Sequence, residues 1–161
     1  MRINKKYDAL PFSMQEIGPL IIDFISKQKQ VIITITGNSM HPFLKDKRDK
    51  AVLSAIKQKP KKDDVVLYLR DNGTYVLHRI FKVENGEYIM LGDAQVYVEK
   101  GITDKQIIAV ATTFHRKGKE FNQNNFLYLC YVKLWRFLYP FRLLKTKGVN
   151  FLKRIINEKT R

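Results

Sequence analysis

The sequence predicts a mainly β protein: a bent antiparallel sheet or small barrel over residues 31–114, with a helix before it and a helical tail after it. Apolar side chains alternate with polar ones in several short runs, of which residues 31–36 are the first. Turns containing glycine and aspartate separate these runs, and residues 71–73, Asp-Asn-Gly, are a strong hairpin signal. The 161 residues are enough for one domain with a core and a tail.

The N-terminal segment, residues 1–30, is predicted to form a helix. Ser13 and Glu16 have the spacing of a capping box, and apolar residues come after them on one helical face. Pro19 is expected to kink or break the first turns. The chain starts with basic residues, but acidic residues such as Asp8 interrupt the stretch where an apolar signal core would have to lie, so we expect no secretory signal.

A candidate nucleophile lies directly after the first predicted strand. Gly37 gives the backbone freedom, Pro42 stops a ladder or helix from continuing, and Ser39 lies between them. A serine presented at the end of a stiff strand is suited to nucleophilic chemistry. Taken alone, the short pattern indicates an ordinary polar turn more often than a nucleophile, because such short matches are frequent by chance.

A candidate base lies in the middle of the next hairpin. Residues 64–70 form one predicted strand and residues 74–83 its return strand, in which His78 shares a face with Val76 and Ile80. Such a histidine can be a catalytic base or simply a hydrogen-bonded core residue. A third polar block, residues 92–95, lies after the second hairpin, and Glu99 comes shortly after it.

These three blocks, in this order, resemble the signal peptidase I and LexA-type superfamily of serine endopeptidases. Residues 37–42, Gly-Asn-Ser-Met-His-Pro, are similar to the Gly-x-Ser-Met-x-Pro motif of that family, and residues 77–80 and 92–93 are similar to its second block and its Gly-Asp block. The resemblance covers roughly residues 30–113. Most bacterial members carry a lysine base where this chain has His78, so the chain looks closest to the Ser-His subtype of the endoplasmic reticulum and archaea.

The resemblance implies a catalytic domain of that type over residues 31–114 and a peptide or precursor-protein substrate. Ser39 would be the nucleophile and His78 the base. The orienting acid stays open between two candidates, Asp93 and Glu99. Residues of the first block would contact the substrate: Gly37, Asn38, Met40 and Pro42.

The catalytic interpretation carries a geometric expectation. The Ser39 hydroxyl and a ring nitrogen of His78 should lie roughly 2.6–4 Å apart, allowing for loose geometry without substrate. We expect this to require the strand before Ser39 to run alongside the strand of residues 74–83. The competing class is a binding module of the same fold, without catalysis, that binds peptides or membrane surfaces.

The composition indicates which classes of partner the chain could bind. The chain has 30 basic and 15 acidic residues, a net charge of +15, which indicates a negatively charged partner surface. Residues 115–161 hold 12 basic and 2 acidic residues together with many aromatic ones. Residues 126–156 are therefore expected to bind an anionic membrane surface without spanning it, to pack on their own domain or to dock a partner. Nucleic acid is the least expected partner.

Composition also limits the chemistry and the compartment. Cys130 is the single cysteine, so no intrachain disulfide can form, and no cysteines and histidines have the spacing of a zinc site. We expect no cofactor and no metal. The expected location is the cytoplasm, with possible peripheral binding to the inner face of the membrane.

Overall fold

The structure, a computed structural model, describes residues 13–159, and the side chains among them as far as residue 149. The expectation of no secretory signal rests on residues that lie largely outside this range. The side chains of Lys153 and Arg154, which belong to the predicted membrane-binding segment, also lie outside it.

The described chain folds into one antiparallel sheet with helices at both ends. The strands are β1 (Val31–Thr34), β2 (Lys50–Ser54), β3 (Val65–Leu69), β4 (Tyr75–Glu84), β5 (Glu87–Leu91), β6 (Glu99–Ile102), β7 (Ile107–Arg116) and β8 (Lys119–Asn122). The helices are α1 (Met14–Ser26), α2 (Phe126–Phe137) and α3 (Tyr139–Lys159), and a short 3-10 turn spans Asp104–Gln106. The prediction of a mainly antiparallel β protein with helices before and after it is confirmed.

The sheet is open, so the barrel alternative is not what the described residues form. The strand order is β1-β2-β7-β3-β4-β5-β6, and β8 pairs with the end of β7. Register shifts interrupt several ladders, for example between Leu67 and Tyr68 and between Ile80 and Lys82. Such bulges bend a strand and increase its twist. The bend lets loops from distant strands meet over the sheet.

The expected pairing of the strand before Ser39 with the strand of His78 is wrong. Strand β1 pairs with β2, and β2, β7 and β3 separate it from β4. The reason is local: Ile35 N–H donates to the Asp49 carbonyl at 2.9 Å, and Lys47 N–H donates to the Ile35 carbonyl at 2.8 Å. The chain therefore returns on itself as a nearby antiparallel pair, the commonest connection.

Helix α1 begins as predicted and closes one side of the fold. Ser13 and Glu16 form both halves of the capping box. The helix continues through Pro19 as one element, so the expected break does not occur. Gly18 is buried against the ring of Tyr75: a Cβ at Gly18 would lie 2.2 Å from a ring atom. The missing side chain lets α1 pack directly on the start of β4.

The sheet continues beyond residue 114, the predicted end of the β domain. Strand β7 runs on to Arg116, β8 adds to the sheet, and Tyr128 and Val132 of α2 are buried in the main core cluster. Alternating apolar side chains in β7 carry the sheet past the point where the composition changes. None of the described helices has both the length and the apolar character that crossing a membrane requires.

Candidate active site

Ser39 lies on a loop that is anchored from both sides. Gly37 has a positive φ of 83°, which allows the chain to turn directly after the first strand. The next residue after the serine, Met40, is 2% exposed and belongs to the main core cluster. The Ser39 side chain is only half-buried. The core side chain beside it thus fixes the loop while the hydroxyl stays accessible.

A second loop, residues 92–96, holds Ser39 from the other side. The Ala94 N–H donates to the Ser39 carbonyl at 2.8 Å. A Cβ at Gly92 would lie 2.6 Å from that carbonyl oxygen and 3.0 Å from Nε2 of His78. Both atoms therefore approach the same point, and only glycine leaves room for them. Three segments that are distant in sequence meet here: the serine loop, β4 and the loop after β5.

His78 lies in β4 and is 2% exposed. Its Nδ1 is 3.2 Å from the hydroxyl of Tyr68, which itself donates to Oε2 of Glu99 at 2.8 Å. Because the tyrosine proton goes to the carboxylate, the bond to His78 requires Nδ1–H as the donor. Nε2 then carries the lone pair. This is the tautomer that a general base needs, with its free nitrogen on the Gly92 side.

Glu99 acts on His78 through Tyr68 and is itself held by an arginine. Arg70 donates from Nε and Nη2 to the two carboxylate oxygens of Glu99, at 2.8 and 2.6 Å. Burial on its own would raise the pKa of Glu99, but the hydrogen bonds from Arg70 and Tyr68 outweigh it and lower the pKa. Glu99 is therefore a carboxylate at neutral pH.

Burial sets the charge of the imidazole. Desolvation, and secondly the positive charge of Arg70, lower the pKa of His78 to about 4, although Glu99 and Asp93 pull it upward. Burial is also the main cause of the raised pKa of Tyr68, followed by its bond to Glu99. At pH 7 the group thus consists of a neutral histidine, a protonated tyrosine and an ion pair.

A cavity of about 260 Å³ lies beside Ser39 and His78. Ser39, His78 and Gln95 line it, together with the side chain of Arg70. The rest of its wall is largely apolar: Met14, Ile33, Ile35, Met40, Leu67, Tyr75, Val76 and Leu77, with Thr34 and Thr36. No direct hydrogen bond joins the Ser39 hydroxyl to His78 among the contacts of the described residues, although both side chains line the same cavity. In enzymes without substrate, catalytic hydrogen bonds are often long and tighten when substrate binds.

Asp93, the other candidate acid, faces a different partner. Its two carboxylate oxygens accept from Nε and Nη2 of Arg79, both at 2.9 Å, and Oδ2 also accepts from the hydroxyl of Tyr131 at 3.1 Å. The Asp93 carbonyl accepts from Nε1 of Trp135 at 2.7 Å. Asp93 therefore ties the loop after β5 to β4 and α2, and its carboxylate makes no bond to His78.

The predicted substrate-contact residues divide into two groups. Met40 lines the cavity. Gly37 and Asn38 are exposed beside it, whereas Pro42 lies further along the loop, where its carbonyl accepts from Arg116 at 3.2 Å. Pro42 also comes after a cis peptide bond from His41.

Sequence reasoning missed two residues of the site, Tyr68 and Arg70. Both lie on one face of the 65–70 segment, and the register pairs Val66 with His78. Tyr68 is therefore the diagonal neighbour of His78 on that face. The alternation along the strand and the hairpin turn together carried this signal.

Within the part of the chain that the structure describes, no three histidine, cysteine, aspartate or glutamate side chains are grouped in a way that could hold a metal ion. The chain matches no protein-family model, and no curated protein matches it in sequence.

Proposed function

We propose that the protein is a serine endopeptidase of the signal peptidase and LexA type, with Ser39 as nucleophile and His78 as general base. One observation carries the proposal: Ser39 and His78 line one cavity, and the Tyr68–Glu99 pair favours the histidine tautomer with a free Nε2. A neutral imidazole at physiological pH is the form that can accept the serine proton.

In the proposed reaction the Ser39 hydroxyl attacks the carbonyl carbon of a peptide bond while Nε2 of His78 takes its proton. The new imidazolium donates from Nδ1 to the Tyr68 hydroxyl, which itself donates to the Glu99 carboxylate. Through this chain of hydrogen bonds the carboxylate stabilises the positive charge on the ring. Nε2 next protonates the leaving amine, and the acyl group stays on Ser39. Water, deprotonated by His78, then releases the acid and restores the serine.

The backbone supplies the candidate oxyanion site. The Ser39 N–H donates to no backbone carbonyl among the described residues, and it is next to the attacking oxygen. A backbone N–H aimed at the developing negative charge is the usual source of this stabilisation.

The shape of the site favours an extended peptide. Among the described residues no strand other than β2 pairs with β1, so its second edge is unpaired there, and the residues at the end of β1 line the cavity. A peptide added along such an edge forms main-chain hydrogen bonds and places alternate side chains on one side. The apolar wall of the cavity would accept an apolar side chain near the cleaved bond.

The missing Ser39–His78 hydrogen bond favours a second candidate, a peptide-binding module of this fold without catalysis. The two candidates predict the same binding edge and differ only in whether a bond is cut.

The test is incubation of the purified chain with a proteome-derived peptide library, and then mass spectrometry of new N-termini. Three proteins are prepared in parallel: the wild type, Ser39→Ala and, as a matched control, Ser26→Ala on the exposed side of α1. We expect cuts after a shared sequence pattern with the wild type and the control, and none with Ser39→Ala. Peptides that are retained but uncut by all three proteins would favour the binding module.

A further inference from the structure

The outward surface of α2 and α3 is apolar although it faces solvent. Four large side chains on it, Leu134, Phe137, Phe141 and Leu144, are between 58% and 69% exposed. The rings of Phe137 and Phe141 contact each other across the junction of the two helices, with centroids 6.1 Å apart. Apolar surface of this kind on a soluble domain commonly marks an interaction site.

Three exposed lysines border these side chains: Lys133 on α2, and Lys145 and Lys147 on α3. We call the seven residues the outer face. The chain contains no aspartate or glutamate anywhere from residue 121 to residue 157. The outer face is therefore apolar at its centre and positively charged around it, with no acidic residue on either helix to offset that charge as far as residue 157.

The inner side of the same helices packs on the domain and is joined to it by hydrogen bonds and an ion pair. Trp135 donates to the Asp93 carbonyl and Tyr131 to the Asp93 carboxylate. The Tyr139 hydroxyl donates to the Val96 carbonyl at 2.9 Å, and Arg142 donates to the Gln95 carbonyl at 2.7 Å. Arg136 pairs with Asp63.

This arrangement changes which residues could meet a membrane. Tyr131, Trp135 and Tyr139 have the amphipathic rings that suit a headgroup layer, but they are directed at the domain, as are the cations Arg136 and Arg142. The phenylalanines, leucines and lysines of the outer face occupy the solvent side in their place.

We propose that the outer face docks the protein on an anionic lipid surface. The apolar side chains would insert at the boundary between headgroups and acyl chains, and the lysines would reach the phosphates with their long stems. A second copy of this chain is a poor occupant, because a symmetric contact would place lysines against lysines. The lysines make the outer face positively charged, so a negatively charged surface complements it. The broad apolar centre of the outer face fits the interior of a lipid layer.

The docking would also place the candidate active site near the membrane. The loop of residues 92–96, which contacts Ser39 and His78, packs on the inner side of the helices whose outer face meets lipid. One helix diameter, roughly 10 Å, separates the two sides. The docking itself does not depend on catalysis, so its test and the test of the peptidase are independent.

The experiment is co-sedimentation of the full chain with vesicles of phosphatidylcholine alone and of phosphatidylcholine with phosphatidylglycerol, at low and high salt. We expect binding to the anionic vesicles only, and weaker binding at high salt because surface charges are screened. Ser39→Ala should bind as the wild type does.

Two variants test the parts of the outer face. Lys133→Gln/Lys145→Gln/Lys147→Gln should weaken binding on the order of 100-fold, because each lysine near an anionic leaflet contributes roughly a fivefold factor. Its control carries the same three changes at Lys57, Lys100 and Lys105, which are exposed on the loop after β2, on β6 and on the 3-10 turn. Phe137→Ser/Phe141→Ser should abolish binding, whereas Ile32→Ser, an exposed apolar side chain on β1, should not.

Circular dichroism of each variant confirms that it is folded, and a variant that fails is replaced by its single substitutions. The proposal is overturned if the wild type does not bind anionic vesicles at low salt, or if it binds neutral vesicles equally well. It is also overturned if the control triple variant loses as much binding as the outer-face triple variant. Sedimentation velocity gives a further check, because self-association that Phe137→Ser/Phe141→Ser abolishes, without any lipid binding, would assign the face to a second copy.

Discussion

Replacing Tyr68 by phenylalanine should slow the chemistry at Ser39 while leaving the fold in place. The change removes one oxygen, the one that receives Nδ1–H of His78 at 3.2 Å and donates to Glu99 at 2.8 Å. Glu99 keeps both bonds from Arg70, so its charge stays satisfied. The imidazole, in contrast, loses the only side chain that fixes its tautomer among the described residues.

The size of the effect can be worked from the bond that is lost. A hydrogen bond to a charged group is worth about 1.5–3 kcal/mol, and the bond gains this strength only when His78 becomes an imidazolium. Since each 1.36 kcal/mol is a factor of ten in rate, kcat should fall about 10- to 100-fold. KM should change little, because the tyrosine does not line the cavity.

The assay is the rate at which a fluorophosphonate probe modifies Ser39, monitored by intact-protein mass. Tyr88→Phe is the matched control: Tyr88 is equally buried, lies on the same sheet and donates its hydroxyl proton to a carboxylate, Asp104, away from the cavity. Both variants should lose about 1 kcal/mol of stability in urea denaturation, but only Tyr68→Phe should lose rate. NMR of the imidazole nitrogens should report a fixed Nδ1–H tautomer in the wild type and a mixture in Tyr68→Phe. Equal rates for the two variants, or an unchanged tautomer, would refute the reasoning.

Four further variants test the site. Glu99→Gln should slow probe modification about 10- to 100-fold with little loss of stability. Asp93→Asn should instead cost about 3–5 kcal/mol of unfolding free energy, because a buried arginine loses its counter-charge. The reverse pattern would make Asp93 the orienting acid. Gly92→Ala should abolish modification while the far-ultraviolet circular dichroism stays the same, since its Cβ would lie 2.6 Å from the Ser39 carbonyl oxygen. In cleavage of a library-derived peptide, Ser39→Ala/His78→Ala should be no slower than either single change, as expected for groups that act as one unit; additive losses would place them in separate roles.

The strands and the N-terminal helix could be predicted because their signals are local. Alternation, the turn residues 71–73 and the Ser13 capping box each depend on neighbours within a few residues. The path of the strand before Ser39 could not be predicted, because its partner is decided by the backbone bonds of Ile35 and Lys47 across the loop that contains the serine. Local patterns contain no information on which of several apolar strands will be adjacent.

The individual residues of the candidate site could be predicted from the sequence, but the hydrogen bonds between them could not. Ser39, His78 and Glu99 carry their chemistry in their residue types and order. The bridge through Tyr68 depends on the hairpin register and on the length of a phenol side chain, and an aromatic residue in a strand is ordinarily interpreted as core. In the tail, the aromatic and basic composition was evident, but the sequence does not reveal which rings face the domain.

The most direct test of the central claim is the pH dependence of fluorophosphonate modification of Ser39, with the adduct located by peptide mapping. If neutral His78 is the base, the rate should be constant through neutral pH and fall on the acid side only near the pKa of about 4 that burial gives His78, well below the ordinary value of 6.5. Samples returned to pH 7 should regain the full rate, which separates protonation from unfolding, and His78→Ala should reduce the rate at every pH above the acid limb. An adduct on a residue other than Ser39, a rate that His78→Ala leaves unchanged, or an acid limb near 6.5 would contradict the account.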